Sequence, residues 1–121
     1  MSLTDYGEDL FLTNYKTGGT AYLGLFTLSP GESTPGTEVS GNGYARQAVT
    51  FGTVSGGSMS NSADIEFDPA TGTWGTVNSW GLFDASTGGN LVWYGALDIG
   101  KTVTAGDIFR VATGNLILSM D

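Results

Sequence analysis

Twenty of the 121 residues are glycine, and they lie along the whole chain instead of collecting in one linker. Short apolar stretches run between them, and that punctuation is the pattern of many strands joined by turns. Thr20–Leu28 is apolar on both faces and suits a buried central strand. Ser29–Gly36 carries Pro30 and Pro35 and reads as a loop. Thr37–Ser40 is a short edge piece before a turn at Gly41-Asn42-Gly43. Tyr44–Thr50 alternates. Ala63–Phe67 does so most clearly, with Ala63, Ile65 and Phe67 pointing one way and Asp64, Glu66 and Asp68 the other. The polar run Ser58–Ser62 reads as a flank of that strand. Val77–Asp84 and Asn90–Asp98 form an aromatic-rich hairpin around Ala85–Gly89. Lys101–Val103, Asp107–Ala112 and Asn115–Met120 complete the set, with a tight turn at Gly114-Asn115.

Short strands at this spacing predict one all-β domain, a β-sandwich or a small barrel, over residues 20–121. Phe26, Phe51, Phe67, Trp80, Phe83, Trp93, Phe109 and Leu116 are the expected core. Residues 1–19 read as an N-terminal arm or a short helix. Leu3, Leu10, Phe11 and Tyr15 fall roughly on one helical face, Thr4 or Asp5 would cap it, and Gly18-Gly19 would end it.

Only 13% of the residues are charged, with twelve acids against four bases and a formal net charge of -8. An average soluble protein carries roughly 25% charged residues, so Ser, Thr, Asn and Gly are expected to cover much of this surface, with room left for partner subunits. Lys16, Arg46, Lys101 and Arg110 are scattered, which gives no basic patch for nucleic acid and no attraction to an anionic membrane. No apolar run approaches the roughly 18 residues of a membrane span. Met1–Asp9 lacks the regions of a signal peptide, and synthesis in the cytoplasm is the expectation.

The chain has no histidine and no cysteine. It therefore lacks the commonest general base, thiolate nucleophiles and zinc–thiolate ligands. No G-x-S-x-G or P-loop pattern is present. Carboxylates remain, as Asp64, Glu66, Asp68, Asp84 and Asp98. Paired acids hydrolyse glycosides, and acids at two-residue spacing make a weak calcium surface, but a solvated strand face accounts for them. The chain reads as a non-enzyme without cofactor or metal. Trp80 and Trp93 sit in strand centres. Trp74, just after Gly72, is the tryptophan best placed for exposure, as a sugar-stacking ring or an interface residue. Arg46 reads as the partner of Glu38 across the Gly41–Gly43 turn, and Arg110 as the partner of an acid on a neighbouring strand.

The order of several phrases then matters. Tyr22-Leu23-Gly24-Leu25-Phe26-Thr27 precedes the Pro/Gly loop. Thr37-Glu38-Val39-Ser40-Gly41-Asn42-Gly43-Tyr44-Ala45-Arg46 follows, then Trp74-Gly75-Thr76-Val77, Gly81-Leu82-Phe83-Asp84-Ala85 and Tyr94-Gly95-Ala96-Leu97. Over residues 20–121 this resembles a family of small tailed-bacteriophage virion proteins, variously named tail fibre, head fibre, capsid decoration or cement proteins. The resemblance implies a jelly-roll-like β-sandwich on the virion, at the capsid or tail surface. Its motif residues Glu38, Gly41, Gly43, Tyr44 and Arg46 would be architectural, and it brings no catalytic residues. The implied partners are the major capsid protein or other virion proteins, with homo-oligomers on the particle. Two roles follow: a cement protein that bridges capsid subunits, favoured by the lone-domain length, and a fibre module that binds host glycan.

Overall fold

The computed structural model describes residues 3–120. The first two residues of the 1–19 segment and the last of 20–121 lie outside the described residues. The chain opens with one helix, α1 (Asp5–Thr17), and continues as strands. In chain order these are β1 (Ala21–Leu28), β2 (Thr37–Glu38), β3 (Gln47–Val49), β4 (Ser58–Ser60), β5 (Ile65–Glu66), β6 (Gly75–Phe83), β7 (Leu91–Val103), β8 (Arg110–Val111) and β9 (Ile117–Ser119).

The N-terminal segment is a helix for local reasons. Thr4 Oγ1 accepts the Gly7 N–H at 3.1 Å and caps the first turn. Asp5 and Glu8 lie near the positive end of the helix dipole and Lys16 near the negative end. Gly18 ends the helix. The buried stripe differs from the expected one: Glu8 and Leu12 are buried, Tyr15 is half-buried, and Leu10 and Phe11 are exposed. Positions 8, 12 and 15 stack along one side at 3.6 residues per turn, whereas Phe11 is rotated about 100° from Leu12. The helix seats on the Gly56-Gly57 turn, both residues having positive φ. The Gly57 N–H donates to Asp9 Oδ1 at 2.7 Å, and a Cβ on Gly57 would lie 2.6 Å from Glu8 Oε1.

The strands build the all-β, single-domain sandwich read from the sequence. One layer is an antiparallel sheet in the order β2-β1-β6-β7, with β3 also pairing with β1. Facing it are two antiparallel ribbons, β4-β9 and β5-β8. Leu23, Leu25, Val77 and Leu82 of the sheet meet Met59, Ile65, Phe67, Phe109, Leu116 and Leu118, and Leu12 joins them from the helix. Across the sheet Phe26 stacks on Phe83, centroids 5.9 Å apart, so both faces of β1 are covered.

Three readings change here. Ser58–Ser60 is a strand, not a flank; its one inward residue, Met59, is too little alternation to see in sequence. Asn90–Asp98 and Lys101–Val103 are one strand. Ser79 pairs with Ala96 and Val77 with Lys101, so Leu97–Gly100 bulge opposite Asn78. Trp80 and Trp93 are half-buried, packed against the core from its margin. The Trp80 ring lies across Gly95 on the paired strand, where a Cβ would come within 2.7 Å of it.

Leu12 is fully buried in the shared core. Leu12→Ala should therefore lower stability by about 2–5 kcal/mol in urea unfolding. A loss below about 0.5 kcal/mol would mean the helix is only an appendage.

Candidate functional site

The Thr37–Arg46 phrase folds into a clasp on the edge of β1. Gly41, Asn42 and Gly43 all have positive φ (74°, 54° and 81°), which glycine and asparagine tolerate best. Three such residues in a row make a tight turn, closed by the Tyr44 N–H on the Gly41 carbonyl at 3.1 Å, after which the chain rejoins the same edge of β1 as β3, running in the same direction as β2. β2 pairs with β1 at Phe26 and Leu28, and β3 pairs at Ala21–Leu23. The hydroxyl of Tyr44 fills the gap between them, accepting the Leu25 N–H at 3.0 Å and donating to Glu38 Oε2 at 2.6 Å. Its ring packs on Phe67 and edge-on to Trp74.

Arg46 completes the clasp. Nε donates to Glu38 Oε2 and Nη2 to Glu38 Oε1, both at 2.8 Å, a two-bond fork. Nη1 donates to the carbonyls of Ala85 (3.0 Å) and Gly88 (2.8 Å), tying down the β6–β7 loop. The guanidinium carbon stands 3.4 Å from the centre of the Phe83 ring. The Arg46 side chain is 9% exposed and that of Glu38 23%. Gly24 makes room beneath: a Cβ there would lie 2.8 Å from Glu38 Oε2 and 2.9 Å from the Phe83 ring. Burial, and then the hydrogen bond to Glu38, push the Tyr44 hydroxyl far above its ordinary value. The bonds to Glu38 hold Arg46 protonated still more firmly. Both Glu38 oxygens are engaged and all three guanidinium nitrogens donate, so the geometry ties three chain segments together and offers little to a ligand.

The other sequence candidates scatter. Trp74 corrects the expectation of exposure. It is 6% exposed, its Nε1 donates to the Asn42 carbonyl at 2.9 Å, and its ring closes the core beneath the glycine turn. A residue in a turn reads as solvent-facing, but the Gly41–Gly43 turn folds over this one. Asp64 accepts the Thr113 N–H and hydroxyl at 2.8 Å, which holds its carboxyl below the ordinary range. Arg110 stands 3.8 Å from Asp64 and 3.9 Å from Glu66, an exposed arrangement of small energetic weight. Asp84 accepts the Asn90 N–H at 2.7 Å and closes the β6–β7 hairpin; that bond lowers its pKa. Asp68 and Asp98 lie exposed on separate segments.

A second surface feature had no signal in the sequence. Between α1 and the start of β7 lies an apolar groove of about 560 Å³ lined by Phe11, Leu12, Tyr15, Val92, Trp93 and Met120. Leu82 pairs with Trp93 and Phe83 with Leu91, so Val92 is an extra, bulged residue. The bulge brings Val92 and its neighbour Trp93 to the same groove. Leu10, Phe11 and Val92 are each about half exposed or more. Tyr15 packs against Trp93 with centroids 6.0 Å apart. Burial and the nearby Asp84 charge push its hydroxyl up to about 12.

Two outcomes are expected of the clasp. Arg46→Met leaves Glu38 without its counter-charge and should cost about 3 kcal/mol, while the Glu38→Gln/Arg46→Met double variant should cost less than the sum of the single ones in a double-mutant cycle. For Tyr44 the folded value lies above the ordinary value of 10. Its contribution is complete below pH 10 and is lost as the pH rises towards the folded value. Tyr44→Phe should therefore flatten the alkaline limb of a stability-against-pH curve; an unchanged limb would assign that limb to other groups.

Against known proteins, residues 9–119 match one family model, described as podophage GP4 fiber I protein gp80. No curated protein matches the chain.

Proposed function

The chain belongs to the podophage GP4 fiber I protein gp80 family, and from that premise we propose that it is a structural component of a phage fibre. It acts as a compact β-module, held on the particle by contacts with other virion proteins. The match over residues 9–119 carries this reading, because it takes in most of α1, the clasp and every strand. The family description names a fibre, which puts the fibre role ahead of the cement role that chain length favoured. The fold fits a structural part. A clasp that locks the edge of β1 and the β6–β7 loop makes a rigid block, and the exposed apolar flank of α1 and β7 supplies a contact surface.

Capsid cement is the second reading. A chain with only 13% charged residues presents a surface that costs little to desolvate over a large contact, as bridging capsid subunits requires. Glycan binding has less support, since a buried Trp74 offers no ring for a sugar to stack on.

Immunogold labelling of intact phage with antibody raised against the purified chain separates the roles. Gold on fibres at the tail is the expected result. Gold spread evenly over the head would establish the cement role, and unlabelled particles would overturn both.

A further inference from the structure

Six asparagines are spread along the chain, and Asn42 is the one followed by glycine. An asparagine in that position is open to attack by the next amide nitrogen, because glycine puts no Cβ in the way. The Gly43 nitrogen gives its proton to water or hydroxide and bonds to the side-chain carbon Cγ of Asn42. The bond from Cγ to Nδ2 breaks, ammonia leaves, and a five-membered imide remains. Water then opens the imide at either of its C–N bonds. One opening gives aspartate, and the other gives isoaspartate, with the main chain routed through the side chain. The net exchange is one water taken up and one ammonia released, and no other reactant enters. Asn42 and Gly43 are both exposed, so water reaches them.

The folded chain holds this pair out of reacting geometry. The Tyr44 N–H donates to the Gly41 carbonyl at 3.1 Å, and Asn42 and Gly43 have φ of 54° and 81°, which makes a type I′ turn. In such a turn the Asn42 Cβ lies across its Cα–C bond from the Gly43 nitrogen, and closing the imide needs a rotation of roughly 150° about that bond. The rotation takes the Asn42 carbonyl away from two donors, the Thr71 N–H and the Trp74 Nε1–H, both at 2.9 Å. The side chain must also leave the Thr73 carbonyl, to which Nδ2 donates at 2.8 Å. The bond between Tyr44 and Gly41 breaks with them. Those same four bonds hold the turn that sets Tyr44 and Arg46 beside Glu38.

We propose that Asn42 is a deamidation site gated by the clasp, unreactive while the clasp is closed and converted when it opens locally. The product then hinders reclosure. Aspartate loses the donor to the Thr73 carbonyl and sets a charged oxygen against it. The side chain has little room to turn aside, since a Cβ on Gly72 would lie 2.8 Å from Asn42 Cγ. Isoaspartate adds a backbone atom to a turn whose two ends are anchored on β1 through β2 and β3. Loss of ammonia makes the step one-way, so loosened copies accumulate with time. Each hydrogen bond that must break slows the reaction roughly fivefold, and four together slow it on the order of a few hundredfold. The inference is independent of where on the particle the chain sits.

The test is mass spectrometry of the full chain after incubation at mildly alkaline pH, both folded and in urea. Trypsin cuts after Lys16 and Arg46, and the peptide between them holds Asn42 as its one asparagine. In urea that peptide should convert to aspartate and isoaspartate, and in the folded chain it should convert about a hundredfold more slowly or less. Trp74→Phe removes a donor to the Asn42 carbonyl, and Arg46→Met loosens the clasp without touching Asn42. Each should speed the folded reaction about fivefold or more and leave the rate in urea unchanged. Leu12→Ala weakens the core beneath α1 and should leave the folded rate close to that of the parent. Asn42→Asp, which installs one product directly, should unfold at lower urea. No conversion in urea, equal rates folded and in urea, indifference to both Trp74→Phe and Arg46→Met, equal acceleration by Leu12→Ala, or an Asn42→Asp chain as resistant to urea as the parent would each overturn the proposal.

Discussion

On the side of β1 away from β6, between the stretches covered by β3 and β2, the Leu25 N–H is met not by a strand but by the Tyr44 hydroxyl, at 3.0 Å. A buried amide without an acceptor costs about 1–3 kcal/mol, so the hydroxyl is part of the sheet in all but name. It is held there by the Glu38 carboxylate, which is itself neutralised by Arg46. Arg46 then reaches the carbonyls of Ala85 and Gly88, so the β6–β7 loop depends on the same carboxylate. Each group in this series satisfies the next, and losing one leaves its neighbour buried and unpartnered.

Such an arrangement is not the cheapest way to stabilise a sheet. A buried ion pair is often matched by apolar residues of similar volume, because both charges must leave water. What it adds here is definition. The fork admits one geometry, and the distances from Gly24 show how tightly that geometry is fitted, since even a methyl group there would meet Glu38 and Phe83. The strained Gly41–Gly43 turn follows from the same requirement. It must close the excursion between β2 and β3 tightly enough to return Tyr44 and Arg46 to the edge of β1 beside Glu38.

Much of this was legible because certain residue types admit few explanations. A glutamate eight positions before an arginine, across a Gly-Asn-Gly turn, in a chain with four bases, reads as an ion pair from spacing and scarcity. Ile65 and Phe67 alternate with acids and are buried while the acids are exposed. The failures share a cause, which is that burial is set by the opposite layer and not by the strand itself. Trp74 sits in what sequence reads as a turn, but the clasp folds over it. Trp80 and Trp93 read as strand centres, but Trp93 is the third residue of the edge strand β7 and Trp80 lays its ring across Gly95 on that strand, so both only flank the core. Met59 is a single apolar residue between serines, and only its pairing with Leu118 makes it core. In α1 the abundance of apolar residues misled, because the helix turns Leu12 inward and leaves Leu10 and Phe11 outside.

That exposed apolar surface is set apart from the charges of the chain. Acids outnumber bases three to one, and Asp84 and Asp98 lie before and after Leu91–Ala96 and not within it. Long-range repulsion therefore acts between copies at a distance, while the strip where contact would form is free of charges to desolvate. Solubility and contact are assigned to different parts of the surface. Dispersed copies are kept apart by their common charge.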